Sequence, residues 1–377
     1  MKQMLFDYSL KNIPLHSRML YNKILIGKTS DFLRRLRWKV FYFQNKNSKI
    51  SKETYGFNSQ TSPPFIPELK GFEEDVYNLA KHIEFRHVND EFQAMLAQDV
   101  KKILNCEDII VSADKSNNKY RLPKEEYQHL LEGCITSEYK KADKQEINAT
   151  NHEAAKIAKK LDLDDRIDEY IQADAFLTVK DHKPNFPSKV QCRLLNPAKS
   201  NIGKISKIIL ADITKIVRNA FSLNQWTKTT DVIKWFEHIQ NKKLLTFFKF
   251  DVVTFYPSIS EQLFSTTIDW ARTITPIESN ERNILYHARK SFLFSNNSTW
   301  VKKAGNNFDV PMGAFDGAEV CELVGLYLLK QMEVFIPREQ VGLYRDDGLA
   351  AVKASGPETD RLRKDITKMF KDLGLRY

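Results

Sequence analysis

Long apolar runs are missing from this 377-residue sequence, and several other common features are missing with them. No stretch of about 18 uncharged apolar residues occurs, so we expect no membrane-spanning helix. The first twelve residues, MKQMLFDYSLKN, lack the apolar core of a signal peptide, so we expect a nuclear or cytoplasmic protein. There is no Gly-rich phosphate loop, which excludes the P-loop and dinucleotide-binding fingerprints.

Cysteine is scarce, and its spacing carries no metal or disulfide signature. The four cysteines lie far apart, at Cys106, Cys134, Cys192 and Cys321. No CxxC pair exists, and no Cys/His spacing is typical of zinc sites. We therefore expect separate, reduced thiols in a reducing compartment.

Acidic residues are rare at the front of the chain. Residues 1–60 contain twelve Lys or Arg and three Asp or Glu, so nine of the ten net positive charges lie there. A basic segment of this size attracts polyanions by releasing their counterions, which suggests nucleic acid. A solvated basic tail is the alternative.

Basic and apolar residues alternate in FLRRLRWKVFYF, residues 32–43, as expected for a basic amphipathic helix. This helix could lie on a phosphate backbone or pack its apolar side on the core; its cations are Arg34, Arg35, Arg37 and Lys39. Residues 44–68 are rich in Asn, Ser, Lys and Pro and are interpreted as a linker. Helical patterns follow over 70–104 and again over about 204–240.

The acidic run LDLDDRIDEY, residues 161–170, contains several carboxylates that could bind a metal, but we expect a solvated helix face.

A second set of acidic residues is better evidence for a metal site. LLTFFKFDVVTFYPSI, residues 244–259, begins as a nearly continuous apolar run, which predicts a buried strand with Asp251 near its end. Burying such a carboxylate is costly unless it is paired or bound to a metal.

Ninety-five residues after Asp251 comes VGLYRDDGLAAV, residues 341–352. Two short apolar segments flank a four-residue Arg-Asp-Asp-Gly turn, which predicts a β-hairpin with two carboxylates at its tip. Alone, the hairpin could be just a turn, and Asp251 could just accept backbone hydrogen bonds. Together, three carboxylates of this kind suit two hard divalent cations, which clamp the attacking and leaving oxygens of a phosphoryl transfer.

Four blocks in order resemble those of reverse transcriptases. FDVVTFYPSI is similar to motif A, FDVPMGAFDGAE (residues 308–319) to motif B, and LYRDDG to motif C, the Tyr-x-Asp-Asp box. VKDHKPNFPSKVQCRLLNPAKS, residues 179–200, resembles the fingers block of Penelope-like retroelements. The resemblance covers about residues 175–377, and residues 107–142 also look like the region before the fingers in such elements.

The resemblance implies roles for the motif A and motif C residues. Asp251 and Asp346 would ligate two Mg²⁺ or Mn²⁺ ions, with Asp347 beside them and the carbonyl of Val252 completing the site. Tyr256 would be the steric gate that excludes a 2′-hydroxyl and favours dNTPs, and Phe255 beside it is a further nucleotide contact.

The resemblance also implies contacts with triphosphate and nucleic acid. Candidates for the triphosphate are Lys180, Lys183 and Arg193, since Lys and Arg both suit phosphate oxygens. Met312 and Gly313 would form the floor under the template–primer pair, where glycine allows close approach. Tyr344 and Arg345 would contact nucleic acid; Arg345 could serve the primer phosphate or lower metal affinity. Motif B departs from the family by having Ala314, Phe315 and Asp316 after its glycine.

The expected fold is α+β: the fingers and palm of a right-hand polymerase, with a small antiparallel palm sheet backed by helices near 261–273, 280–293, 318–334 and 357–372. A basic, mainly helical extension would occupy residues 1–105, the fingers 106–240, and the palm 241–377. Only thirty residues follow Asp347, so we expect an incomplete palm and no thumb.

The leading hypothesis is an RNA-directed DNA polymerase that extends a DNA or RNA primer on an RNA template with dNTPs. No membrane contact is expected. A non-catalytic nucleic-acid-binding remnant of a retroelement is the alternative, and a two-metal nuclease lacks the additional acidic motifs it would need.

Overall fold

The computed structural model describes residues 2–4, 18–45, 63–85, 95, 98–99, 101–102, 107–164, 167, 173–303 and 307–375. Cys106, most of the expected linker and part of the acidic run at 161–170 lie outside the described residues. The chain forms two compact units. Unit 1 comprises residues 1–130, 159–167 and 178–193, and unit 2 comprises residues 131–158, 168–177 and 194–377.

A helical pair is the first feature of unit 1. Helix α1 (Arg18–Gln44) packs against α2 (Lys70–His82). Leu33 is the buried residue of α1, and Arg37 forms a double ion pair with Glu73 of α2. The expected helix at 32–43 is therefore confirmed, and it starts fourteen residues earlier. Of the helical pattern predicted over 70–104, the first part is α2, which ends at His82, and residues 95, 98, 99, 101 and 102 are again helical.

An antiparallel sheet forms the core of unit 1. Its strands are β1 (Lys2–Met4), β2 (Ile109–Ser112) and β3 (Lys119–Leu122), in the order β1-β3-β2. Val111, Tyr120 and Leu122 pack with Val179 into one apolar cluster. The sheet thus supports the backbone that leads into the conspicuous KDHKP segment.

Four elements carry the chain from one unit into the other: α3 (Lys124–Glu138), α4 (Lys144–Lys160), β5 (Phe176–Val179) and β6 (Cys192–Leu195). Helix α4 ends before the acidic run, and Asp162 has a left-handed φ of 54° in a turn. The prediction of a solvated helix face there is wrong for the described residues of that run, since residues 161–164 form turns and Leu163 is buried.

Unit 2 holds two three-stranded antiparallel sheets and a set of helices. One sheet contains β4 (Tyr139–Lys141), β9 (Ser298–Lys302) and β8 (Leu293–Ser295). The other contains β10 (Val341–Tyr344), β11 (Asp347–Val352) and β7 (Thr246–Asp251). The helices are α5 (Asn201–Phe221), α6 (Thr229–His238), α7 (Phe255–Ser258), α8 (Glu261–Arg272), α9 (Ser279–His287), α10 (Gly317–Met332) and α11 (Gly356–Asp372).

Helix α10 is the centre of the unit 2 core. Its residues are apolar on nearly all sides, and eleven of its sixteen are buried, as expected of a helix surrounded by protein. It packs against α5, α8 and β10. Helix α11 closes the other side of the sheet, where Phe370 contacts Phe250 of β7. The expectation of a small antiparallel sheet backed by helices is confirmed.

The helical pattern predicted over 204–240 is confirmed and consists of two helices, α5 and α6; α5 ends before Ser222, which has a left-handed φ of 50°. Two other local predictions are wrong. The helix expected to reach residue 293 ends at His287, because β8 and β9 form a hairpin around Asn296 and Asn297, both at positive φ as tight hairpin turns require. Strand β7 is half-exposed, since it lies at the edge of its sheet among the described strands.

The described helices include none that is both long and apolar enough to cross a membrane.

Candidate active site

Two of the three candidate aspartates face each other across a strand pair. Strand β11 runs antiparallel to β7, and its register places Asp347 directly opposite Asp251. Opposite residues of such a pair have Cβ atoms about 5 Å apart. Both side chains are exposed. A pair of like charges at this spacing repels, so the pairing favours a bound cation between or beside them.

The third aspartate lies in the tight turn that joins β10 to β11. Arg345 and Asp346 form this turn, and Arg345 has a left-handed φ of 54°. The Asp346 carbonyl accepts a hydrogen bond of 2.9 Å from the Val252 N–H, which fixes the turn to the end of β7. The turn is thus two residues long and not four, and its geometry brings all three carboxylates to one edge.

The electrostatics of Asp346 reflect this gathering of charge. Partial burial raises the pKa of its carboxyl, and the nearby Asp347 and Asp251 raise it further. The Arg345 guanidinium acts in the opposite direction. That guanidinium also lies 5.7 Å from the centre of the exposed Tyr344 ring. Arg345 therefore partly compensates the negative charge of the turn.

Gly348, the glycine after the aspartate pair, lies in strand β11 and not in the turn. It is opposite Phe250 in the register, and a Cβ there would be 2.1 Å from the Phe250 ring. Its role is to admit that ring, which in turn packs on Phe370. The glycine of the Asp-Asp-Gly sequence is therefore explained by packing rather than by turn geometry.

Tyr256 and Phe255 follow β7 and differ in exposure. Phe255 is 2% exposed and belongs to the core, which corrects the expectation of a side-chain contact with nucleotide. Tyr256 is half-buried, beside Gly317 and Cys321 of α10. Burial raises the pKa of its hydroxyl to about 12. The ring is therefore neutral, packed against α10, and close enough to Asp346 and Arg345 for their charges to affect its pKa.

The motif B turn is held by the segment that precedes α5. Gly313 has a φ of 114°, and a Cβ there would be 2.4 Å from the Asn196 carbonyl oxygen. The Asn196 N–H donates to the Met312 carbonyl at 3.2 Å. The buried Asn196 amide also donates to the Phe292 carbonyl at 2.8 Å. Asn196 therefore fixes the position of the Met312–Gly313 turn relative to the segment that precedes α5.

Asp316, just after this turn, is part of a buried ion pair. It is 1% exposed, its partner Arg289 is fully buried, and the two side chains are in direct contact. Sequence reasoning treated Asp316 as a departure from the usual template-contacting residues. The structure gives it a supporting role, because it anchors the start of α10 to the segment after α9.

The three candidate triphosphate cations belong to unit 1. Lys183 is exposed and Lys180 half-buried, and the N–H of Lys183 donates to the carbonyl of Lys180. Arg193 forms an ion pair of 2.9 Å with Asp114. Between them, Asp181 accepts hydrogen bonds from Ser116, Asn118 and Tyr120, and the bond from Ser116 is the largest cause of its lowered pKa. The triphosphate assignment stays a prediction.

The N-terminal cations fall into two groups. Arg37 is held by Glu73, and Arg34 is 3.3 Å from Asp31. These two therefore have partners within the protein, and their contact with nucleic acid stays a prediction. Arg35 and Lys39 are exposed on α1, and Lys28, which sequence reasoning passed over, lies on the same helix face.

The three aspartates have the oxygen ligands that suit a hard divalent cation. Their backbones lie at one edge of the sheet, but their carboxylates do not point at a common centre. Their oxygen donors are of the kind that Mg²⁺ prefers. Partial burial is the largest cause of the raised pKa of Asp346, and the charges of Asp347 and Asp251 add to it; a bound cation would offset this repulsion. Among the described residues, however, no three acidic, histidine or cysteine side chains converge closely enough to form a preassembled site. Asp251, Asp346 and Asp347 would have to turn toward the ion as it binds.

Two supporting residues, Asn196 and Arg289, had no signal in the sequence. Each has an ordinary local context and becomes important only through partners more than 25 residues away. Asn196 lies in the NPAKS phrase of the 179–200 block, and nothing in that phrase distinguishes it from its neighbours. A buried Arg–Asp pair could not be foreseen from spacing.

Comparison with known proteins finds similarity in structure alone. No protein-family model matches the sequence, and no curated protein matches it. Telomerase from Candida albicans, in complex with the TWJ fragment of telomeric RNA, aligns with a TM-score of 0.52 at 11% identity. That alignment covers 84% of this chain and 54% of the telomerase, so the chain spans about half the length of that protein.

Apo telomerase from Candida tropicalis aligns with a TM-score of 0.52 at 9% identity, covering 94% of this chain and 70% of the telomerase. Telomerase from the same organism in complex with the TWJ fragment of telomeric RNA gives a TM-score of 0.50 at 10% identity. It covers 94% of this chain and 57% of its own. At such low identity these similarities concern the fold, which is that of the fingers and palm of a reverse-transcriptase-like polymerase.

Proposed function

We propose that this chain, with its reverse-transcriptase-like fold, is an RNA-directed DNA polymerase. The observation that carries the proposal is the pairing of Asp251 with Asp347, with Asp346 bonded to the adjacent backbone. Three carboxylates at one edge of a sheet, in a polymerase fold, suit two-metal nucleotidyl transfer. RNA as template, DNA or RNA as primer, and dNTPs as substrates are part of the proposal.

The chain's own residues would act mainly by positioning and charge. Asp251, Asp346 and Asp347 would hold two Mg²⁺ or Mn²⁺ ions, with the Val252 carbonyl as a further ligand. Such ions lower the pKa of a primer 3′-hydroxyl and stabilise the charge of the departing pyrophosphate. No covalent intermediate with the protein is required.

Substrate choice is assigned to Tyr256. Its ring is braced against Gly317 of α10 and so cannot retreat from an incoming sugar without moving the helix. A ring fixed at this position would leave no room for a 2′-hydroxyl, which favours dNTPs over rNTPs. Met312 and Gly313, held at fixed height by Asn196, would support the base pair being formed.

Affiliation with Penelope-like elements is the finer part of the proposal. It rests on the Lys-Asp-His-Lys-Pro phrase at 180–184 and on Arg193, which follows it. Lys180, Lys183 and Arg193 are proposed to contact the triphosphate. Tyr344 and Arg345 are proposed to contact the primer strand, for which the exposed ring of Tyr344 and the charge of Arg345 are suited.

A second candidate is a nucleic-acid-binding protein with this fold and no turnover. The absence of a preassembled carboxylate cluster among the described residues is the observation in its favour. The pairing of Asp251 with Asp347 in the strand register favours catalysis. Activity therefore has to be measured together with binding.

Primer extension on an RNA template tests the proposal. The wild type, Asp346→Ala and the control Asp360→Asn are compared with dNTPs or rNTPs, in Mg²⁺ or Mn²⁺. Asp360 is an exposed carboxylate on α11, so its loss removes a similar charge away from the sheet edge. We expect extension with dNTPs by the wild type and Asp360→Asn, and a loss of at least about a hundredfold in Asp346→Ala.

Binding of the same primer–template, measured by fluorescence anisotropy, separates the two candidate functions. Salt-sensitive binding without extension by any variant would favour the non-catalytic protein. Extension that persists in Asp346→Ala would contradict the carboxylate assignment.

A further inference from the structure

Two lysines lie over a half-exposed aromatic ring beside the motif B turn. The Nζ of Lys199 is 4.9 Å from the centre of the Phe315 ring, and the Nζ of Lys204 is 5.6 Å from it. Lys199 immediately precedes the N-cap of α5, and Lys204 is in the first turns of that helix. The three residues form what we call the Phe315 platform.

The Phe315 ring is held in place from below. A Cβ on Gly203 of α5 would be 3.7 Å from the Phe315 Cβ, so the ring's base rests on this helix. The next residue, Asp316, is locked by the buried Arg289. Two residues before Phe315, Gly313 is pressed against Asn196. The ring is therefore a fixed surface rather than a loose side chain.

The lysines do not hold the ring strongly. A cation over an aromatic face at an exposed site contributes only about two- to fivefold to an equilibrium constant. Two ammonium groups close to one ring also repel each other. An anionic ligand would draw both lysines toward itself and release the face of the ring.

A nucleic-acid strand offers a base that can stack on the ring and phosphates that can bind the two lysines. Stacking of one base on an aromatic side chain contributes about fivefold to a hundredfold in affinity, which equals or exceeds the roughly four- to twenty-fivefold of the two lost cation–ring contacts. The phosphates on either side of that base are ligands for the two ammonium groups. Lys207, the next cation along α5, is already 3.3 Å from Glu319, so it contributes less.

We propose that the Phe315 platform binds an unpaired nucleic-acid strand, with one base stacked on Phe315 and the flanking phosphates on Lys199 and Lys204. The strand must be unpaired, because bases inside a duplex have no free face to stack. The identification of this strand as the polymerase template rests on the proposed function. The binding itself does not, because it needs neither metal ion nor dNTP.

The experiment is fluorescence anisotropy of a labelled single-stranded RNA and of a blunt RNA duplex, without divalent ions or dNTPs. Phe315→Leu removes the ring and keeps an apolar side chain, and Phe335→Leu is its control at an exposed phenylalanine after α10. Phe315→Trp keeps an aromatic face. Lys199→Ala/Lys204→Ala removes both ammonium groups, and Lys215→Ala, exposed further along α5, is its control.

Phe315→Leu is expected to weaken single-strand binding by about fivefold or more, with duplex binding and the salt dependence unchanged. Phe315→Trp is expected to bind at least as tightly as the wild type. The double lysine variant is expected to reduce the slope of log K against log salt by about 1.4, since each phosphate contact on a single strand contributes about 0.7. Both control variants are expected to bind as the wild type does.

Wild-type single-strand affinity in Phe315→Leu would overturn the proposal, as would an equal loss on the duplex or an unchanged salt slope in the double lysine variant. Circular dichroism of each variant shows that the fold is retained. Because binding is measured without metal ions or dNTPs, a failure of primer extension leaves these affinities unaffected and tests only the catalytic proposal.

Discussion

At Gly313 the backbone itself decides which residue can be present. Its φ of 114° lies in a region that side chains with a Cβ rarely adopt. A Cβ there would also be 2.4 Å from the Asn196 carbonyl oxygen, which belongs to a buried residue and cannot move aside. The glycine thus sets the distance between the segment before α5 and the turn before α10.

Gly313→Ala is accordingly expected to destabilise the protein by about 1–3 kcal/mol in urea unfolding, through backbone strain and the forced shift of Asn196. Gly133→Ala is the control, because Gly133 lies in helix α3 with nothing within 4 Å of an added Cβ. It is expected to be neutral or to stabilise by up to about 1 kcal/mol. Equal stability of the two variants would contradict the account of Gly313.

At the scale of elements, the Arg289–Asp316 pair connects the end of α9 to the start of α10. Both side chains are buried, so removing one leaves the other charge without compensation in the interior. This cost differs in kind from that of an exposed ion pair, which water and salt largely screen. The pair therefore matters for how firmly α10, and with it Tyr256, is placed.

Arg289→Met is expected to lower the free energy of unfolding by about 3–5 kcal/mol. Arg289→Met/Asp316→Asn is expected to recover part of that loss. A double-mutant cycle then gives the interaction free energy between Arg289 and Asp316. Arg363→Met removes one member of an exposed pair with Asp360 and is expected to cost less than about 1 kcal/mol. If Arg289→Met lost no more unfolding free energy than Arg363→Met, the buried pair would not have the stabilising role given to it here.

At the scale of the whole molecule, a metal ion bound at the three aspartates would act on the stability of the chain. An ion that binds only the folded state stabilises it by mass action, by about 2.7 kcal/mol at a hundred times its dissociation constant. It would also offset the repulsion from Asp347 and Asp251, which adds to partial burial in raising the pKa of Asp346. Stability should therefore depend on divalent cations even in the absence of substrate.

We expect Mg²⁺ or Mn²⁺ to raise the midpoint of thermal unfolding of the wild type, and chelation with EDTA to reverse the rise. Asp251→Asn/Asp346→Asn is expected to lose the response, and Asp360→Asn to keep it. A response of the same size in the double variant would mean that the ions bind elsewhere on the protein.

The sequence determined the parts that depend on local pattern and on order along the chain. The apolar run before Asp251 predicted a strand that ends at this residue, and the Asp-Asp turn between two apolar segments predicted a hairpin; the register then places Asp251 and Asp347 on one sheet. These predictions succeeded because strand and helix periodicity follow directly from which residues must leave water.

Tertiary structure alone decided what depends on distant partners. It decided that Gly348 admits the Phe250 ring, that Phe255 is core while Tyr256 is half-exposed, and that Asp316 pairs with Arg289. It also decided that Arg37 is held by Glu73 while Arg35 stays exposed. Such outcomes are set by packing between residues far apart in the chain, and no local pattern encodes which of two similar side chains finds a partner.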